Sequence, residues 1–171
     1  VSDNPLSGFR YGGVIVSNCD IGIDSYKPAA KPAAFGANNH GSIVEIEGEW
    51  YIFYHRHTNN TWYSRQGCAE KLSFEGDKII QAEMTSCGLN DGPLKGEGEY
   101  PSFIACNIFT KDEQMYVGGA GHPYIMQDGR DGDIEPAYIT NLCDGSVIGF
   151  KYFDCKGLTA FGIKTRGYAC L

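Results

Sequence analysis

The chain has 171 residues, 14 Lys+Arg against 21 Asp+Glu and a formal net charge of −7, with the acidic residues scattered and no Lys/Arg block. That balance argues against a surface that tracks nucleic-acid phosphates or an anionic membrane. No run approaches the roughly 18 apolar residues that a spanning helix needs. Twenty-three glycines, eleven tyrosines and 13% aromatic residues point to an all-β protein with many turns and polar-tipped rings.

Taken in chain order, Pro5 and Gly8 mark a turn, and Phe9 to Val16 reads as a short strand behind Gly12-Gly13. Asn18 to Asn39 reads as a long loop holding Asp20, Asp24, Pro28, Pro32 and Gly36, without sustained periodicity. A loop of that length in a compact domain tends to be functional or mobile. The clearest signal follows: Gly41 to His57 holds two strand-like runs joined through Glu47-Gly48-Glu49, the pattern of a hairpin. In its second arm Trp50, Ile52, Tyr54 and Arg56 share one face, and Tyr51, Phe53, His55 and His57 the other. Both faces are expected to be largely buried.

Trp62 to Phe74 and Lys78 to Thr85 read as two further strands around Glu75-Gly76-Asp77. The section from Gly41 to Thr85 thus holds about four strands, the number in one propeller blade. Ser86 to Pro101 is rich in Gly and Pro and reads as a connector. Beyond it, Pro136-Ala-Tyr-Ile, Ser146 to Phe153 and Leu158 to Lys164 are expected as strands of a second β-rich segment, the start of a sandwich. The seven cysteines are odd in number and nowhere form C-x-x-C, which disfavours a disulfide framework and a zinc ribbon. Reduced, mostly buried thiols are expected, and a cytoplasmic setting is favoured over a secreted one. Val1 is not an initiator methionine, so a signal peptide ahead of it stays open.

Several ordered motifs carry a family resemblance. Asn38-Asn-His-Gly-Ser-Ile-Val-Glu, Trp50-Tyr-Ile-Phe-Tyr-His-Arg-His, Tyr63-Ser-Arg-Gln-Gly-Cys and Ala82-Glu-Met-Thr-Ser are together similar to the last blade of glycoside hydrolase family 43. Val1-Ser-Asp-Asn-Pro-Leu-Ser-Gly-Phe-Arg-Tyr-Gly-Gly-Val-Ile resembles a strand and turn of the preceding blade. The resemblance implies residues 1–107 as the C-terminal part of a five-bladed β-propeller and 108–122 as a linker. Residues 123–171 then resemble the opening of an appended β-sandwich related to carbohydrate-binding modules of family 6.

The chemistry implied is inverting hydrolysis of arabinofuranosyl or xylosyl bonds in plant hemicellulose. That reaction needs an acid and a base carboxyl about 6.5–9.5 Å apart across the sugar. In the family these groups precede the position matching Val1, so no catalytic residue is assigned here, and the missing blades of the same protein are the expected partner. His40 matches a histidine that faces a calcium-bound water, which makes calcium a conditional cofactor. Arg65 matches an arginine that reaches sugar hydroxyls, a role suited to a planar donor fork.

Plainer readings stand beside these. His40 could cap a turn, Arg65 could pair with Glu70 or Glu83 on the surface, and Asp20 could line the sugar pocket or simply sit in a loop. His40, His55 and His57 could be imagined as a zinc site, though hydrogen-bonded histidines are commoner. Trp62 and Tyr63 could stack on a sugar or pack in the core. Asn59-Asn60-Thr61 is a formal glycosylation sequon, better read as a chance match. A non-catalytic carbohydrate-binding protein and a purely structural propeller piece are the competing functions.

Overall fold

The computed structural model describes residues 1–18, 20–23, 38–110, 121–127 and 137–165. Their regular elements are strands and one single-turn 3-10 helix, so the chain is all-β. In order they are β1 (Ser42–Ile46), β2 (Glu49–His57), β3 (Arg65–Lys71), β4 (Ser73–Glu75), β5 (Lys78–Ile80), β6 (Leu94–Lys95), the 3-10 turn (Ser102–Ile104), β7 (Asn107–Thr110), β8 (Tyr124–Gln127), β9 (Ala137–Thr140), β10 (Ser146–Gly149) and β11 (Phe153–Asp154).

The hairpin expected from the sequence is formed by β1 and β2, with Ile46 opposite Glu49. That register leaves a two-residue turn, and both its residues are left-handed, Glu47 at φ 53° and Gly48 at φ 84°. This backbone matches the right-handed twist of the flanking strands, which is why such short turns take it. β3 adds antiparallel to β2, from Tyr51 opposite Lys71 to His57 opposite Arg65.

The three-stranded sheet β1-β2-β3 is followed by a separate hairpin, β4-β5. The section thus holds five short strands, split between a three-stranded sheet and a hairpin, where about four were expected. Buried Leu72 makes one last bond to β2, its N–H donating to Trp50 O at 2.7 Å, and β4 begins at the next residue. The described sheets do not close into a barrel.

One face of the sheet makes the first core. Ile52 and Tyr54 pack with Leu72, Ala82, Met84 and Cys106, flanked by Ile15, Val16, Ile43, Cys68 and Ile79. The opposite face is only partly covered: Phe53 stays exposed while His57 is buried. A second core gathers Ala105, Ile108, Ile125 and Ala137. Arg56, buried on β2, joins the two, donating from Nη1 to Ala105 O and from Nη2 to Phe103 O, both at 2.5 Å.

Two expected strands are absent. Phe9 to Val16 makes a single bridge, Val16 to Ala82, because no neighbouring strand runs beside its glycine pair. Leu158 to Lys164 joins no described ladder, and Phe161 and Ile163 are exposed. The loop read between Asn18 and Asn39 lies mostly outside the described residues, Asp24 with it.

Residues beyond the expected linker bond back to the earlier part of the chain. β7 pairs with β10, β6 pairs with β11, and Asn59 N–H donates to Ile125 O at 2.7 Å. Cys68, Cys87, Cys106, Cys143 and Cys155 are free thiols; Cys106 is buried, while Cys143 and Cys155 are exposed. None of the described helical residues forms a segment long and apolar enough to cross a membrane.

Candidate functional site

Continuing the β1-β2 register two pairs beyond Ser42 and Phe53, past Gly41 and Tyr54, brings His40 opposite His55. Gly41 makes this approach possible: a Cβ there would lie 2.6 Å from Phe53 O and 3.3 Å from Tyr54 Cβ. His40 bonds from its backbone N–H to His55 Nε2 at 3.2 Å, and its ring Nδ1 lies 3.0 Å from the same atom.

The rings of His40, His55, His57 and Trp62 form a chain. Successive centroids are 5.3, 5.8 and 5.7 Å apart. Burial lowers the His55 pKa, and the charge of Arg65 pushes the same way. His57 is fully engaged: Nδ1 donates to Thr61 O at 3.1 Å, and the Asn38 side-chain amide lies 2.6 Å from Nε2. Both ring nitrogens of His57 thus face partners within the protein, and among the described residues the three histidines do not gather as a metal site.

Arg65 opens β3 opposite His57 and is exposed, with Nη1 donating to Tyr63 O at 3.3 Å. The surface ion pairs that a plain reading allows it are not formed. Glu70 is buried against Tyr54 and Thr85, and Glu83 is bonded to Lys151 and Tyr152. His40 and Arg65 thus come to one end of the sheet. Trp62 and Tyr63 stand beside them, 55% and 87% exposed, so neither packs into the cores of the described residues.

Asp20 is elsewhere. Instead of standing on a rim it is 1% exposed, accepts the Met84 N–H at 2.9 Å and faces Lys151 Nζ at 3.2 Å. Burial raises its pKa against the pull of Met84 and Lys151. The loop position that made it look like a rim residue is overridden by a buried cation 131 residues away. Neither Lys151 nor the bracing role of His57 was visible in the sequence; the only trace of the latter is the Asn-Asn-His run at 38–40. The sequon asparagine is also taken, since Asn59 Nδ2 donates to Ser64 Oγ at 3.1 Å and Gln127 O at 3.2 Å.

His40 lies against the His55 imidazole, and among the described residues no three His, Cys, Asp or Glu side chains gather as a metal site.

A cleft of about 280 Å³ opens at the other end of β3, lined by Glu70, Glu83, Thr85, Asn90 and Tyr152 among others. Desolvation lifts the Glu70 carboxyl to about 7, although it accepts from the Thr85 N–H at 2.7 Å. The bond to Glu83 pushes the Tyr152 phenol up to about 12.

Two curated proteins match most of the chain. The chain is 61% identical over 174 aligned positions to a xylosidase/arabinosidase of Thermoclostridium stercorarium, with 98% of the chain and 37% of that protein aligned. It is 25% identical over 167 positions to an arabinoxylan arabinofuranohydrolase of Paenibacillus polymyxa, with 94% of the chain and 24% of that protein aligned. The chain therefore spans well under half the length of the curated relatives it matches. No protein-family model matches it, and no solved structure does either.

Proposed function

We propose that this chain is part of a glycoside hydrolase acting on arabinofuranosyl or xylosyl linkages of hemicellulose, by inversion, with the fold of a five-bladed propeller followed by a sandwich. The observation that carries it is the 61% identity to a protein named xylosidase/arabinosidase. The exposed Arg65 beside His40 at one sheet end supports it, because a rigid five-donor fork suits vicinal sugar hydroxyls. In this reading Arg65 and His40 contact the sugar, Asp20 serves the interior, and the acid and base carboxyls come from blades outside this chain. No step is assigned to calcium.

The test is turnover of aryl arabinofuranosides and xylosides by the protein as encoded, compared with Arg65→Ala and Arg65→Lys. Loss of a charged hydrogen-bonding partner is worth about 1.5–3 kcal/mol, so Arg65→Ala should lower kcat/KM by about tenfold or more, with Lys intermediate. Sugar binding without any turnover would favour a non-catalytic carbohydrate-binding protein instead.

A further inference from the structure

The loop between β2 and β3, residues 58–64, is held far more firmly than a surface connection requires. Thr58 N–H donates to Ser64 O at 3.1 Å and Thr61 N–H to Thr58 O at 3.2 Å. Thr61 Oγ1 accepts from the N–H groups of Tyr63 and Ser64 at 3.3 and 3.2 Å. From outside the loop, Asn59 is bonded to Ile125 and Gln127 of β8, and His57 holds the Thr61 carbonyl. Asn59 and Asn60 both take left-handed backbone, φ 56° and 51°. Consecutive residues in that region persist where surrounding contacts over-determine them, and such places cluster at ligand clamps.

What this bracing presents outward is aromatic. Trp62 is 55% exposed, and its contact with His57 is edge-to-face with rings 78° apart, which holds the indole without covering it. Leaving a tryptophan in water forgoes one of the largest hydrophobic gains a side chain offers. Three residues on, Arg65 supplies a planar donor fork at the same strand end. An apolar ring face beside a donor fork matches a sugar ring, which has a C–H face and a hydroxyl rim.

We propose that Trp62, oriented by His57, is a stacking platform for a pentose ring of the substrate, with Tyr63 at its margin. This rests on the hemicellulose reading above and adds to it a residue that selects ring shape. The rigid loop pre-orders the indole, so binding spends little on ordering it.

Calorimetric titration of the protein as encoded with xylo- and arabino-oligosaccharides tests this, using Trp62→Ala, Trp62→Leu and Trp62→Phe. The exposed position predicts unchanged melting for all three. Loss of the ring in Ala and Leu should weaken binding about tenfold, while Phe keeps it within about threefold, and KM should rise with kcat nearly unchanged. If the unmodified protein binds none of these sugars, the hydrolase reading and the platform both fall. If it binds them and Trp62→Leu binds equally well, the platform alone is overturned. Equal affinity with a lowered melting temperature also overturns it, assigning the indole to packing against another part of the protein.

Discussion

Lys151 Nζ lies 3.2 Å from Asp20 Oδ2, and both side chains are buried. The contact joins residues 131 apart in sequence, so it fixes the segment after β10 against the stretch before the hairpin. Glu83 completes the arrangement, its Oε1 2.7 Å from the same ammonium and its Oε2 accepting from Tyr152 Oη. Burial works against the charge on Lys151, but the bond to Glu83 and the charge of Asp20 outweigh it and hold its pKa above the ordinary value.

Removing the cation leaves two carboxylates facing an apolar interior. Lys151→Met should therefore cost about 3–5 kcal/mol in urea unfolding at neutral pH, the range for breaking a buried pair from one side. The triple change Lys151→Met, Asp20→Asn, Glu83→Gln should recover a large part of that loss, because no stranded charge remains. Equal stability of Lys151→Met and the unmodified protein would show that the pair is not buried in solution.

Glu70 makes a pH-dependent contribution of definite sign. Its folded-state pKa, about 7, lies above the ordinary 4.5, so the native state holds the proton more tightly. The stabilisation is fully present below pH 4.5 and is lost as pH rises through about 7. At 1.36 kcal/mol per unit the span amounts to about 3 kcal/mol. Glu70→Gln keeps acceptors for Tyr54 and the Thr85 N–H and carries no charge. It should unfold like the unmodified protein near pH 5 and be more stable by about 2–3 kcal/mol at pH 8. Parallel pH profiles for the two proteins would refute the assignment.

Gly41 is the point where His40 meets the hairpin. Alanine there would place its Cβ 2.6 Å from Phe53 O, a contact that only backbone movement relieves. Gly41→Ala should cost about 1–3 kcal/mol of stability, the usual range for overpacking. It should also separate His40 from His55, seen as a change in the His55 ring resonances by NMR. An unchanged His55 signal would mean the register is not held through Gly41.

Much of the local structure was legible. The alternation in Trp50 to His57 correctly divided the strand into a core-facing side with Ile52 and Tyr54 and another with His55 and His57. Glu47-Gly48 announced its own turn, since a two-residue link needs left-handed backbone and glycine supplies half of it. Arg65 and His40 were singled out through motifs, and the structure brings them to one sheet end. Leu158 to Lys164 was misread because alternation shows only that a strand has a face to bury, not that a neighbour exists to pair with it.

By itself the sequence determined the all-β class and the hairpin with its turn, because strand alternation and turn chemistry act over a few residues. Only the tertiary structure decided that Asp20 is an interior counter-ion, that His57 braces the loop carrying Trp62, and that Arg56 links two cores. Those roles depend on groups tens of residues away in the chain, and desolvation and charge pairing respond to distance in space.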